Sequence, residues 1–131
     1  GLNALLTLHE AIQTDVPISY SSLETFPITE LVWSKLNYPD PYHLFNKIHL
    51  VQWDEWSEIN SKFQLKKINN EVQREAFPSE EFDLIYFDAF APNKQPEMWE
   101  LSVLTKIIGA MKSGAVFVTY CAKGQLKRDL K

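Results

Sequence analysis

The run Phe82-Asp-Leu-Ile-Tyr-Phe-Asp88 constrains the fold of this chain more than any other stretch. Leu84 to Phe87 are apolar without a break, and the run stops abruptly at a carboxylate. Unbroken apolar runs of this length read as strands buried on both faces, the habit of parallel sheets. In open α/β sheets, ligands bind beyond the carboxyl ends of such strands. Asp88 stands at that end. Ala89-Phe-Ala-Pro92 and Asn93-Lys-Gln-Pro96 come next, supplying an aromatic ring, a stiff turn and a proline suited to opening a helix.

The rest of the chain alternates helical and extended patterns. Leu2 to Ile12 carries apolar residues at 2, 5, 6, 8 and 12, which predicts a helix packed by one broad face. Ile18 to Leu23 predicts a strand. Pro27 then opens a second helix with Ile28, Leu31, Val32 and Leu36 at helical spacing. Asn37 to Pro41 is a turn cluster, and Tyr42 to Ile59 is expected to be helical. Phe63 to Ile68 predicts a third strand and Phe82 to Phe87 a fourth. From Pro96 a long helix turns Met98, Leu101, Leu104, Ile107 and Ile108 inward, with Glu97 at its positive end. Ser113-Gly114 turns the chain into a last strand, Ala115 to Tyr120, and the final residues begin another helix. This alternation argues for an α/β domain with a largely parallel sheet.

At 131 residues and 45% hydrophobic content, the chain is the size of one domain. No run approaches the length of a bilayer-spanning helix, and no basic-then-apolar leader begins the sequence. The single cysteine, Cys121, excludes an internal disulfide and fits a reducing, cytoplasmic setting. The three histidines show no metal-ligand spacing, so neither a metal nor a membrane is expected as a partner. A formal charge of −4 does not advertise a nucleic-acid partner. The basic residues are nonetheless clustered, as Lys66-Lys67, Lys94, and Lys123 with Lys127-Arg128. A solvated face explains Lys66-Lys67 as well as a phosphate site does.

Asp88-Ala-Phe-Ala-Pro92, with Lys94 and Pro96-Glu-Met-Trp99, is similar to the signature of bacterial tRNA wobble-uridine methyltransferases. These are the MnmC-like enzymes that complete 5-methylaminomethyl-2-thiouridine. Gly1-Leu-Asn-Ala-Leu-Leu-Thr-Leu8 resembles the segment after that family's glycine-rich loop, and Ser21-Ser-Leu-Glu24-Thr-Phe-Pro27 resembles its second strand end. The resemblance covers nearly the whole chain. It implies a Rossmann-like class I methyltransferase using S-adenosylmethionine, with a mostly parallel sheet that is incomplete at both ends. Residues 1–131 would then be a single domain lacking the first strand with its glycine-rich loop and the C-terminal strands. That first strand would run between the Ile18 and Phe82 strands. The acceptor implied is the 5-aminomethyl nitrogen of the wobble uridine in the tRNA anticodon stem-loop. A flavin-dependent oxidase, fused or separate, prepares this amine in some relatives.

The resemblance also distributes roles. Gly1, Leu2 and Asn3 would be the tail of the loop that approaches the methionine part of the cofactor. Glu24, with Thr25, stands where a carboxylate accepts ribose hydroxyls; the alternative for Glu24 is an acidic residue that starts the next helix. Glu71 is the candidate for reading adenine, a task that Asn69 or Asn70 would serve equally. Asp88 would face the methyl acceptor, its alternative being a cap on the next element. An aliphatic amine has a pKa of about 10 and an aspartate about 4, so Asp88 is a poor outright base. Accepting a hydrogen bond and aiming the nitrogen lone pair is its more credible work. Phe90 would stack on an extruded uracil or line the path of the sulfonium cation, or else sit in the core. Pro92 stiffens the loop, and Lys94 would meet a phosphate or remain solvated. Two rival functions share these features: an aminopropyl transferase of the spermidine synthase type, and a non-catalytic module of the same fold that binds RNA or a protein partner.

Overall fold

The computed structural model describes residues 1–121. The chain divides into two compact units, Gly1–Glu71 and a second from Val72 onward. Both mix helices and strands.

In the first unit, α1 (Leu2–Thr14) buries Ala4, Leu5, Leu8 and Ala11, a stripe at helical spacing. It ends at Asp15, which takes a left-handed conformation with φ 58°. The connection Asp15–Pro17 leads into β1 (Ile18–Leu23). β1 pairs in parallel with β3 (Phe63–Ile68), from Ile18 opposite Phe63 to Leu23 opposite Ile68. Leu5, Leu8, Ile59, Phe63 and Leu65 are essentially sealed from water. Each contributes about 1.5–3 kcal/mol by burial. The opposite face of this sheet is mostly polar: Gln64 Nε2 donates to Ser19 Oγ (2.6 Å), with Lys66 and Glu58 in the neighbouring rows.

Three expectations for this unit need correction. Tyr42 to Ile59 is not one helix. It holds α3 (Phe45–Leu50) and then β2 (Trp56–Asn60), which folds back on β3 as an antiparallel hairpin. From Trp56 to Ile59 the residues alternate outward and inward, a period-two pattern hidden beneath the aromatic content. The helix expected from Pro27 shrinks to α2 (Glu30–Trp33). Its predicted inward residues Ile28, Leu31, Val32 and Leu36 are open to solvent, and Trp33 is buried instead. Lys67 is not on a solvated face. It is 7% exposed, its Nζ donates to the His49 carbonyl (2.6 Å), and it lies 4.7 Å above the Trp53 ring. That hydrogen bond and the ring face offset the cost of taking the ammonium out of water.

In the second unit, β4 (Phe82–Phe87) pairs in parallel with β5 (Met111–Thr119). The connection is a 3₁₀ turn, Pro96–Trp99, followed by α4 (Leu101–Gly109). The long helix expected from Pro96 is broken at Glu100, whose backbone is extended (φ −63°, ψ 144°). Val103, Leu104 and Ile107 are the buried stripe of α4, while Leu101 and Ile108 are exposed. Lys106 Nζ donates to the carbonyls of Val72, Gln73 and Glu75, tying the start of the unit to this helix. β5 begins earlier than expected, and Ser113-Gly114 lies within it as an irregularity. The register slips between Phe82 and Leu84, and Gly114 sits at φ 81°, where a side chain would strain the backbone.

The run Leu84 to Phe87 is not buried on both faces. Phe87 packs against Phe117 and Trp99, but Leu84, Tyr86, Val116 and Val118 are exposed. The sheets are small and only partly parallel, in orders β1-β3-β2 and β4-β5. Among the described residues β1 and β4 each have a strand neighbour on one side only. The helix expected after Tyr120, with Lys123, Lys127 and Arg128, lies outside the described residues.

Candidate functional site

The first unit gathers its candidates at one end of the sheet. Because β1 and β3 are parallel, Glu24 and Thr25 emerge beside Asn69, Asn70 and Glu71. Glu24 N–H donates to the Ile68 carbonyl (2.9 Å), and Thr25 Oγ1 donates to the Asn70 carbonyl (3.3 Å). The Glu24 carboxylate is exposed, and its Oε1 accepts the Phe26 N–H at 3.1 Å. This turn occupies one oxygen and leaves the other available, since a carboxylate accepts up to about four hydrogen bonds. Glu24 begins no helix, because the next one starts at Glu30.

Gly1, Leu2 and Asn3 reach the same end. α1 has 13 residues and β1 has six, and both come to about 20 Å at ordinary rises per residue. The helix runs back along the strand, so its N-terminus returns to where β1 finishes. A β-carbon at position 1 would lie 2.8 Å from His49 Nε2 and 3.3 Å from the Phe45 ring. The His49 ring is stacked on Trp33 (centroids 4.9 Å, 10°) and meets Phe45 edge-on, so it has little room to yield. Glycine is therefore needed here for close approach. His49 Nε2 is buried with no hydrogen-bond partner among the described residues. Burial first, and then the positive charge of Lys67, holds the imidazole down to about 4, so it is neutral at physiological pH.

The second unit presents Asp88 directly after β4, exposed to solvent. Its carboxylate has no hydrogen bond or ion pair with a described residue. The loop behind it is closed on itself. Phe90 N–H donates to Gln95 Oε1 (3.1 Å), Trp99 Nε1 donates to the Phe90 carbonyl (2.7 Å), and the Lys94 and Gln95 N–H groups both reach the Ala91 carbonyl. Phe90 is thus pinned by its backbone while its ring stays 72% exposed. That excludes the core reading. Pro92 is half-buried within this loop and Lys94 is exposed on it.

Two residues at these strand ends were missed by sequence reasoning. Asp54 sits at φ 62°; its N–H donates to the Lys67 carbonyl (2.6 Å) and its Oδ1 accepts the Asn69 N–H (3.3 Å). Only the β2–β3 fold-back, itself unforeseen, brings it there. Tyr120 follows β5 as Asp88 follows β4, and strand-end position was the signal that could have found it. A cavity of about 230 Å³ lies at the other end of the first sheet, lined by Pro17, Ser19, Glu58 and Gln64 among others, away from Glu24. Among the described residues, no cluster of His, Cys, Asp or Glu could hold a metal, and no helix is long and apolar enough to cross a membrane.

The chain is mixed α/β, and each unit carries a carboxylate just after a parallel strand, Glu24 after β1 and Asp88 after β4. Residues 35–131 match the model of a family described as S-adenosyl-L-methionine-dependent methyltransferase, and the chain belongs to that family. Within it, the similarity is to the MnmC methyltransferase region. The bifunctional protein MnmC of tRNA 5-methylaminomethyl-2-thiouridine biosynthesis from Nitrosospira multiformis is 28% identical over 142 aligned residues, covering 100% of this chain and 23% of the relative. The protein of the same description from Hydrogenovibrio crunogenus is 25% identical over 150, covering 99% and 21%. That from Acinetobacter baylyi is 41% identical over 49, covering 37% and 8%. The chain spans less than a quarter of the length of these curated relatives.

Proposed function

We propose that this chain is a Rossmann-like class I methyltransferase domain that methylates the 5-aminomethyl nitrogen of the tRNA wobble uridine, giving 5-methylaminomethyl-2-thiouridine. The observation that carries the reading is Asp88: an exposed carboxylate without a described partner at the carboxyl end of a parallel strand, in front of a self-closed loop that displays Phe90. The printed description of the relatives supports the substrate. Residues 1–131 are read as one domain, with the first strand, its glycine-rich loop and the C-terminal strands expected outside them. The one-sided pairing of β1 and β4 supports this.

The residues present fit S-adenosylmethionine. Gly1 keeps a close approach that a β-carbon would fill, and an orphaned His49 Nε2 lies beside it. Gly1, Leu2 and Asn3 line the place for the methionine part. Glu24 offers its free oxygen to the ribose hydroxyls, next to Thr25, and Glu71 flanks the adenine side. When bound, the cofactor supplies an electrophilic methyl group on a sulfonium.

Asp88 accepts a hydrogen bond from the acceptor amine and orients its lone pair. The proton leaves for solvent after, or as, nitrogen becomes positively charged, and Asp88 keeps its charge throughout. Positioning of this kind is worth several orders of magnitude in rate. Phe90 offers a rigid aromatic face to the base, Pro92 fixes the backbone of the loop, and Lys94 meets a neighbouring phosphate. A cytoplasmic setting and a flavin oxidase partner that prepares the amine complete the reading.

The test is methyl transfer by the full-length protein to tRNA bearing the unmethylated aminomethyl group. Nucleoside analysis should show methylaminomethyl-thiouridine. Polyamine formation without tRNA methylation would instead establish the aminopropyl transferase, and cofactor binding without either product would sink the enzyme reading.

A further inference from the structure

Asp88 has a neighbour across the sheet. β4 and β5 run in parallel with Leu84 opposite Val116, Tyr86 opposite Val118 and Phe87 opposite Thr119. One residue further, Tyr120 stands beside Asp88. Side chains alternate along a strand. Phe87 and Phe117 share the covered face, with ring centroids 5.6 Å apart. Asp88 and Tyr120 therefore continue from Tyr86 and Val118 on the open face, and both are exposed. Paired strands are about 4.8 Å apart, so a carboxylate and a phenol stand side by side at the carboxyl edge. Tyr120 is 81% exposed, more than any large apolar residue within the strand before it. Among the described residues, a large ring this exposed at a strand end offers a surface for stacking.

We propose that Tyr120 is a base-stacking residue of the acceptor site: its ring receives the extruded pyrimidine while Asp88, one strand away, takes the hydrogen bond of the amine on that base. This rests on the methyl-acceptor reading above. An enzyme that works on a nucleobase within folded RNA must draw the base out of its stack, and aromatic faces are what hold it. The strand spacing suits the task, because the amine projects one carbon beyond the ring that carries it. The ring supplies grip that tolerates base identity, and Asp88 selects for the amine.

The experiment uses the full-length protein, tRNA bearing the aminomethyl group, and the variants Tyr120→Leu and Tyr120→Phe. Stacking on one aromatic predicts that Tyr120→Leu raises KM for tRNA by about 10-fold or more, while Tyr120→Phe stays within about twofold of wild type. Cofactor affinity, measured separately by calorimetry, should be unchanged in both. An unaltered KM in Tyr120→Leu overturns the proposal. So does a Tyr120→Phe variant as impaired as Tyr120→Leu, because the hydroxyl would then be the working group. Pyrrolocytosine placed at the acceptor position provides a readout independent of turnover. Its fluorescence should be quenched on binding to wild type and Tyr120→Phe and clearly less on binding to Tyr120→Leu, where Phe90 remains; equal quenching by all three, or none by wild type, overturns the stack. Absent methyl transfer by the wild type is a failure of the acceptor reading, and the fluorescence result then decides the stacking alone.

Discussion

The two units are built on the same plan and finish differently. Each packs helices on one face of a small sheet whose neighbouring strands include a parallel pair. In the first unit the far face is mostly polar, with Ser19, Gln64, Lys66 and Glu58 beside one exposed ring, Trp56. In the second the far face is apolar, with Leu84, Tyr86, Val116 and Val118 each partly exposed. The first unit also encloses polar groups: the Lys67 ammonium and the neutral His49 ring sit among aromatic rings near the N-terminus of α1. The second keeps its polar group, Asp88, at the open edge. Rigid polar packing suits holding a cofactor in one pose. An exposed carboxylate beside accessible rings suits a large substrate that arrives and leaves.

If that division is right, the largest effect belongs to Asp88. Asp88→Ala should lose roughly 10²–10⁴-fold in single-turnover methyl transfer, the range for a positioned proton-handling group. Cofactor affinity should barely move. Asp88→Asn sharpens the point: partial retention favours orientation of the amine, and complete loss favours its charge. Wild-type rates in both variants would leave Asp88 a structural cap.

Next come the cores. Leu8→Ala, in the sealed cluster of the first unit, should cost about 2–5 kcal/mol in denaturant unfolding. Val118→Ser, on the partly exposed face, should cost about 0.5 kcal/mol or less. Equal costs would break the comparison by showing that the second unit's open face is covered in solution.

Glu24→Ala comes third. Losing one charge-assisted hydrogen bond should weaken cofactor binding by about 1.5–3 kcal/mol, leaving the acceptor step intact once cofactor is saturating. Calorimetry with unchanged affinity would remove Glu24 from the site.

The smallest effect is a pH dependence confined to the first unit. His49 is lowered to about 4 from 6.5, by burial first and then by the positive charge of Lys67. Below pH 6.5 the unfolded chain therefore binds a proton that the folded chain refuses. The stability of the neutral ring is complete above 6.5 and drains away as pH falls toward 4. Asp40 adds to this at lower pH. Burial raises it, but the Phe45 N–H (2.8 Å) and His9 (3.1 Å) outweigh burial and hold it below 3.8, so its contribution fades as acid protonates it. Unfolding midpoints measured from about pH 7 to about 4.5 should slope less in His49→Phe than in wild type. Identical slopes would dismiss His49 as the source.

Local pattern made several elements and their ends legible. The alternation of α1, β1, β3 and β4, the strand-end places of Glu24 and Asp88, and the proline-stiffened loop at Phe90 come from periodicity, breakers and the charge that ends an apolar run. Those signals are short-range, so one strand of sequence suffices to read them. The features that escaped needed distant partners. β2 is a strand because β3 lies beside it. Lys67 is buried because the His49 carbonyl and the Trp53 ring meet it there. Phe90 is displayed because Gln95 and Trp99 fix its backbone. Tyr120 stands beside Asp88 only through the register of two strands separated by a helix. Sequence alone determined which groups stand at strand ends. The tertiary structure decided which of them are neighbours, because pairing and burial join residues far apart along the chain, and no local pattern encodes that distance.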